Sequence, residues 1–192
     1  MVCPTPAQPI VFQADVRAVS EQTARRQRWD AALQPLGPSW RWYPVVEAIQ
    51  ALRGVQFTAA VTLSAELGDL SRFDTPRQLM SYLGLTPSAH SSGERRRPGA
   101  IPKTGNAHAR RVLVEGAWAS RYPAKVSRHL QLRLEKVPNA IPDISWKAQG
   151  RLGKRYRRLM ARGKNAHQVV VALARERAAF VWAIAPEVAV AH

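Results

Sequence analysis

The feature that most constrains the fold is a long run rich in proline, glycine and arginine between two segments with helical patterning. The run extends from Tyr82 to Glu115 and reads YLGLTPSAHSSGERRRPGAIPKTGNAHARRVLVE. Proline removes a backbone donor and glycine is flexible, so a run of this composition interrupts helices. We therefore expect a loop over residues 84–105, with a helix on either side of it.

Positive charge is concentrated in the same run. Its six cations are Arg95, Arg96, Arg97, Lys103, Arg110 and Arg111. Three loop glycines, Gly93, Gly99 and Gly105, would let backbone N–H groups approach a phosphate closely, and guanidinium groups match phosphate oxygens. The pattern indicates a phosphate-binding loop. A solvated basic loop whose serines only cap turns is the alternative.

The whole chain is strongly basic. It carries 29 Lys and Arg residues against 13 Asp and Glu residues among 192, a formal net charge of +16. Proteins this basic usually bind a polyanion. A second group of cations lies on a predicted helix near the C-terminus, and its candidate nucleic-acid contacts are Arg151, Lys154, Arg155 and Arg158.

Composition argues against several other classes of protein. The longest apolar run, residues 169–184, contains three charged residues, so we expect no membrane span. One cysteine, five scattered histidines and dispersed carboxylates predict no metal site in this chain. The N-terminus lacks the pattern of a secretory signal, which predicts a cytoplasmic location.

Helical periodicity accounts for most of the remaining sequence, and no alternating stretch is long enough to predict a strand. The predicted helices are 15–36, 44–53, 57–67, 76–83, 107–121, 127–136, 144–160 and 165–184. Thr75 and Asn106 are expected to cap helices, with Pro76 at a first helical position. Pro138 and Pro142 are expected to interrupt the chain before the seventh helix. The predicted fold class is all-α.

The helices at 44–53 and 57–67 are joined by the short sequence LRGVQ, centred on Gly54. Glycine turns between helices occur in helix-hairpin-helix modules, which present N–H groups to a phosphate. Gln56 stands where such modules usually have a second glycine. A plain helical hairpin is therefore an equally good interpretation.

Serine is the candidate nucleophile that remains after metal and triad chemistry are set aside. Ser91 and Ser92 lie at the start of the cationic loop. A serine hydroxyl can attack a phosphodiester if a base or metal takes its proton and cations stabilise the charge that develops. The sequence supplies the cations but no obvious base, and His90 is the histidine nearest to the pair.

Three motifs together resemble one known family. They are LGLTP at 83–87, SSG at 91–93 and KTGNAHARR at 103–111. The combination resembles the C-terminal domain of insertion-sequence 110 family transposases, most closely the branch that includes insertion sequence 1111, over roughly residues 45–185. The resemblance implies an enzyme of DNA transposition or site-specific recombination, associated with the bacterial nucleoid.

The resemblance also implies roles for individual residues and partners. Ser92, with Ser91 as the second choice, would form a phosphoserine link to DNA, and phosphate contacts would come from Arg95, Arg96, Lys103, Arg110 and Arg111. Partners would be DNA at the element ends and target, a structured guide RNA, and further copies of the chain or a full-length transposase. Mg²⁺ would be held by a separate, N-terminal RuvC-like domain with four acidic residues.

That acidic domain has no counterpart in this sequence, so we expect a truncated transposase with no cofactor of its own and no activity alone. The expected divisions are a leader at 1–13, a linker-helix remnant at 14–43, the transposase domain at 44–185 and a tail at 186–192. Two alternatives remain open. One is a stand-alone nucleic-acid-binding module or an inhibitor of full-length transposases, and the other is a basic RNA-associated protein.

Overall fold

The computed structural model of the protein describes residues 7–35, 37–87, 89–92, 95–98, 101–102 and 104–188. The chain divides after Trp40 into two units. The first unit is built on one helix, α1 (Ala7–Leu33), in which no residue is buried. Its apolar side chains are largely exposed, including Ile10 at 71% and Phe12 at 57%.

Helix α1 begins at Ala7 rather than at Asp15, so residues 7–13 are helical and not a loose leader. Pro9 lies in the first turn of the helix. Its missing N–H would have no partner within the helix there, so the proline is tolerated. Residues 1–6 and 189–192, which include the rest of the predicted leader and most of the predicted tail, lie outside the described part of the chain.

The second unit is helical, which confirms the predicted class. Its elements are α2 (Tyr43–Ile49), α3 (Phe57–Leu67), α4 (Pro76–Tyr82), β1 (Ala89–Ser92), β2 (Arg95–Pro98), α5 (Ala107–Ala117), α6 (Arg128–Leu134), α7 (Ala140–Ala161) and α8 (Ala166–Ile184). The two strands form an antiparallel hairpin inside the predicted loop. Sequence periodicity did not predict them, because strands of four residues are too short to show an alternation of apolar and polar positions.

Helix α8 is the centre of this unit. It packs against α4, α5 and α7. Its fully buried apolar residues are Val169, Val170, Leu173, Ala174, Ala178, Val181 and Ile184. They recur at three- and four-residue spacing, as predicted, and each large one stabilises the fold by about 1.5–3 kcal/mol through burial. Phe180, also predicted to face inward, is only half-buried.

The predicted helix starts are confirmed where a capping residue marks them. Thr75 accepts a hydrogen bond from the N–H of Gln78 at 3.4 Å, and Asn106 accepts one from the N–H of Ala109 at 2.9 Å. Helix α7, by contrast, begins before the predicted start at residue 144. Pro142 lies in its first turn instead of interrupting it, because a proline there breaks no helical hydrogen bond.

Hydrogen bonds from α7 and α8, two helices that are distant in sequence, hold the turn between α2 and α3 against the core. The guanidinium of Arg177, on α8, donates to the carbonyl of Arg53. The hydroxyl of Ser145, on α7, donates to the carbonyl of Ala51 at 2.6 Å. Burial lowers the pKa of Arg177 to about 10, so this side chain still carries its charge at neutral pH.

Gly54 sits in this turn with a φ of +84°. A Cβ added at Gly54 would overlap the carbonyl oxygen of Gly116 in α5 and crowd Ala119. The position therefore needs glycine both for its backbone conformation and for the close approach of the turn to α5.

We expect Gly54→Ala to destabilise the protein more than Gly163→Ala. Gly163 follows α7 with a φ of +69°, and an added Cβ there meets nothing within 4 Å, so its substitution should cost only ~1–2 kcal/mol of backbone strain. Gly54→Ala carries the same strain and adds a clash with backbone atoms. Urea unfolding of both variants measures the difference, and equal losses of stability would contradict the close packing of Gly54 on α5.

Candidate nucleic-acid interface

The basic loop between α4 and α5 is closed where its two ends meet. Nη1 of Arg110 donates hydrogen bonds to the carbonyls of Leu83 at 2.9 Å and Thr104 at 3.1 Å. The N–H of Asn106 donates to the carbonyl of Tyr82 at 3.3 Å. The chain therefore leaves the helical unit and returns to it at one point, which we call the loop base and which comprises residues 82–84, 104–106 and Arg110.

Two glycines make this closure possible. Gly84 and Gly105 have φ values of +62° and +81°. A Cβ at Gly84 would overlap the carbonyl oxygen of Thr104, and one at Gly105 would overlap the carbonyl oxygen of Tyr82. The structure thus places Gly105 where the two backbone segments touch each other. Gly93, Gly99 and Lys103 lie outside the described residues.

The β-hairpin extends from this closed loop. Its register pairs Ala89 with Pro98, His90 with Arg97, Ser91 with Arg96, and Ser92 with Arg95. For these residues the structure describes the backbone and its pairing. Each candidate serine therefore lies directly across from an arginine, and the Ser92 pair is the last one before the connection between the strands.

A carboxylate on α3 holds the second end of the loop. Oε2 of Glu66 accepts a hydrogen bond from Nδ2 of Asn106 at 2.7 Å, and its Oε1 accepts one from Nδ1 of His108 at 2.7 Å. These two bonds, with Asn106 contributing more, lower the pKa of Glu66 below its ordinary value of 4.5. The sequence did not predict the contact between Glu66 and the loop, because Glu66 lies 40 residues before Asn106.

The two arginines of α5 have different environments. Arg110 is half-buried, and its Nη1 is occupied by the loop base. Arg111 is exposed. Of the two predicted phosphate contacts on this helix, the structure places Arg110 in the closure of the loop and leaves Arg111 open to solvent.

Of the four predicted phosphate contacts on α7, two donate to a carboxylate of the protein and two are open to solvent. Arg151 and Arg155 donate hydrogen bonds to the two carboxylate oxygens of Glu176 on α8, the second at 3.0 Å. Lys154 and Arg158 are exposed. All four residues line a groove of about 850 Å³ between α7 and α8. Since α5 and α7 both pack on α8, the loop and the groove belong to one helical unit.

The described residues offer no arrangement that fits Mg²⁺. Among them, no three His, Cys, Asp or Glu side chains come together as metal ligands. Glu66 and Glu176 already accept hydrogen bonds from the side chains described above. An apolar cavity of about 400 Å³, lined in part by Trp42, Phe73 and Trp182, contains none of the predicted site residues. No described helix has the length and apolar character needed to cross a membrane.

A helical unit with a basic hairpin on a closed loop, and a second basic surface along a helix, is suited to contact with phosphate backbones. A model of the Transposase IS116/IS110/IS902 family matches residues 46–131, which contain the loop and its base. The chain is 46% identical over 168 residues, 88% of its length, to the Putative transposase y4qE of Sinorhizobium fredii. It is also 29% identical over 138 residues, 72% of its length, to the Transposase for insertion sequence element IS1111A of Coxiella burnetii.

These matches show that the chain belongs to the IS116/IS110/IS902 transposase family. A third relative, the Probable family 20 transposase of Pseudomonas aeruginosa, is 30% identical over 145 residues, 72% of the chain. The chain spans 43%, 32% and 35% of the lengths of these three relatives. It corresponds to less than half of each of them.

We expect the Glu66→Gln variant to lose stability in a pH-dependent way. Because the folded pKa of Glu66 is lowered, its contribution is present above the unfolded pKa and is lost as the pH falls through the folded pKa. The variant should therefore be less stable than the parent at pH 7, and the difference should shrink as the pH falls below the ordinary value of 4.5 and through the lowered pKa of Glu66. Thermal melts across this range test the effect.

The control for this experiment is Glu115→Gln, which alters an exposed carboxylate on α5. It should change stability little at either pH. A gap between parent and Glu66→Gln that stayed constant down to pH 3 would contradict the role assigned to the Glu66 carboxylate.

Arg110→Gln should open the loop base, whereas Arg111→Gln should not. Arg110 makes two hydrogen bonds to carbonyls, and their loss should cost about 1–3 kcal/mol of stability. Arg111 is exposed, so its substitution should change stability by less than about 0.5 kcal/mol. Limited proteolysis, which cleaves opened loops, should cut the Arg110→Gln variant faster within residues 84–105. Equal cleavage of the two variants would show that Arg110 does not close the loop.

Proposed function

We propose that this chain is part of a transposase and that it binds DNA and provides Ser92 as the nucleophile. The observation that carries the proposal is the hairpin register, which sets Ser92 across from Arg95 on a loop whose base is closed by Arg110. Ser91, across from Arg96, is the second candidate. A closed base limits the movement of the hairpin, and a nucleophile must be held in place to react.

The chemistry is a transesterification. The Ser92 oxygen attacks a phosphorus atom of the DNA backbone, a phosphoserine bond forms, and one strand departs through its sugar oxygen. The serine proton passes to a base, and the leaving oxygen gains a proton. Cations near the phosphate, with Arg95 and Arg96 as the candidates in the hairpin, stabilise the negative charge that develops during the attack.

DNA binding is proposed to use the cations that the structure leaves exposed, together with those of the loop. Among the predicted contacts on the helices these are Arg111, Lys154 and Arg158, whereas Arg151 is exposed but donates to Glu176. In the loop they are Arg95, Arg96, Arg97 and Lys103. The pair α2 and α3 is a further candidate contact of the helix-hairpin-helix type, since no side chain caps the N-terminus of α3 at Gln56. We propose residues 44–185 as the domain that contains these contacts.

The relatives' names and the resemblance support DNA at element ends and target sites as the partner. A structured guide RNA, which the resemblance also implies, would meet the same phosphate-binding cations. We propose that strand transfer depends on the Mg²⁺-binding acidic domain of the family. The described residues of this chain do not fit that ion, so we assign it no step here.

A second function is favoured by α1. This helix of 27 residues buries none of them, and it exposes apolar side chains that include Ile10, Phe12 and Val19. Exposed apolar side chains on a helix are a candidate surface for association with another copy of the chain or with a full-length transposase. In that case the chain would act as a nucleic-acid-binding partner or inhibitor rather than as an enzyme.

Substitution of the serines tests the proposed nucleophile. The chain, mixed with Mg²⁺ and the acidic domain that the family resemblance implies, should form a covalent adduct with element-end DNA. Ser92→Ala should abolish the adduct and leave DNA affinity within about twofold, since a hydroxyl contributes little to phosphate affinity. Ser91→Ala is the matched control and should retain the adduct.

The chain without the acidic domain tests DNA binding and the dependence of the adduct on that domain. The chain alone should bind DNA, with a log–log salt slope near −5 for roughly six neutralised phosphates, and should form no adduct. An adduct from the chain alone would contradict the dependence on the acidic domain. An adduct that survives in both serine variants would overturn the assignment of the nucleophile, and a flat salt dependence would overturn DNA binding.

A further inference from the structure

The groove between α7 and α8 contains an exposed tryptophan among the cations. Trp146 is 54% exposed, and it lines the groove together with Lys147, Gly150 and Phe180. Tryptophan is enriched at interfaces, so an exposed tryptophan that lines a cationic groove is a candidate contact. Lys154 and Arg158 already provide for phosphate binding, and phosphate binding does not require a tryptophan. We call Trp146, Lys147, Gly150, Lys154, Arg158 and Phe180 the α7 groove.

Open space lies beside the tryptophan ring because of Gly150. Residues four apart share one face of a helix, and helical side chains lean toward the N-terminus, so a side chain at 150 would cover the surface next to Trp146. Glycine covers nothing, and a Cβ built at Gly150 meets no atom within 4 Å. The structure therefore leaves room beside Trp146 for a flat group from a ligand.

The charges of the groove are arranged around this space. Glu176 is buried at 8% exposure and is occupied by Arg151 and Arg155. Lys147, Lys154 and Arg158 are exposed, and within the described part of the chain none of them forms an ion pair. The five cations exceed the single carboxylate, so the groove attracts an anion along its length.

We propose that the α7 groove binds an unpaired DNA strand, with Trp146 stacked on one base and Lys147, Lys154 and Arg158 in contact with its phosphates. This inference rests on the proposed DNA-binding function and adds the kind of DNA. Stacking on a tryptophan ring requires a free base face, and the bases of a duplex cover each other's faces. A duplex uses only the cations, whereas an unpaired strand uses the cations and the aromatic ring.

Fluorescence anisotropy with labelled DNA tests the proposal. The probes are an oligodeoxythymidylate of about 12 nucleotides, which suits the usual size of single-strand sites, and a duplex of matched length. Trp146→Ala should bind the single strand about tenfold more weakly, the usual order for one stacked base, and should bind the duplex within about twofold of the parent. Trp146→Phe should recover most of the lost affinity, because it retains an aromatic face.

Two further variants act as controls. Trp29→Ala removes another tryptophan of similar exposure, 57%, on α1, and it should leave binding of the single strand unchanged. Gly150→Leu should weaken binding of the single strand by filling the space beside Trp146, without destabilising a helix in which that position is open. Circular dichroism of each variant confirms that the helices are intact.

The outcomes separate this inference from the proposed function. Equal single-strand affinities for Trp146→Ala and Trp29→Ala, with duplex binding retained, would overturn the stacking proposal and leave the proposed function standing. If the parent protein bound neither the single strand nor the duplex, the proposed function would be overturned as well. Binding of an oligouridylate several times tighter than that of the DNA strand, or equal binding of poly-glutamate, would overturn the assignment to unpaired DNA.

Discussion

The guanidinium of Arg110 fixes the position of the basic hairpin relative to the helices. It bridges the carbonyl that follows α4, on Leu83, and the carbonyl that precedes α5, on Thr104. The bridge is possible only because Gly84 and Gly105 let the two backbone segments approach more closely than a Cβ would permit. Everything proposed for the serines depends on this closure, because a loop open at its base would not hold a nucleophile against a phosphate.

Cations in this protein serve two different purposes. Arg110, Arg151, Arg155 and Arg177 donate to acceptors of the chain itself. Arg111, Lys154 and Arg158 face solvent. The net charge of +16 therefore does not by itself say which side chains a polyanion can contact. Arginine suits the first group, because its planar fork can satisfy two acceptors at once and remains charged when buried.

Much of the fold could be predicted because its signals are local. Caps such as Asn106, the glycine after a helix, and the apolar spacing of α8 are written within a few residues of the element they define. The hydrogen bonds that shape the candidate site are not local. Arg177 reaches Arg53 across 124 residues and Asn106 reaches Glu66 across 40, and no pattern in a single sequence encodes such pairs.

The candidate site was predicted in part for the same reason. The serines and the cationic loop stand out as a motif, but their pairing in a hairpin does not, since each strand has only four residues. Arg110 was grouped with the phosphate contacts because sequence position cannot tell an inward guanidinium from an outward one. No motif in the sequence marks Trp146, and only its exposure and the open space at Gly150 distinguish it.

Amide hydrogen exchange with and without element-end DNA tests the central claim most directly, since it reports on the loop base and the hairpin separately. The amide of Asn106, which donates to the carbonyl of Tyr82 across the loop base, should be protected in the free protein and unchanged by DNA. Residues 89–92 and 95–98 should gain protection when DNA binds. Fast exchange at the loop base in the free protein, or a hairpin that DNA leaves unchanged, would contradict the account.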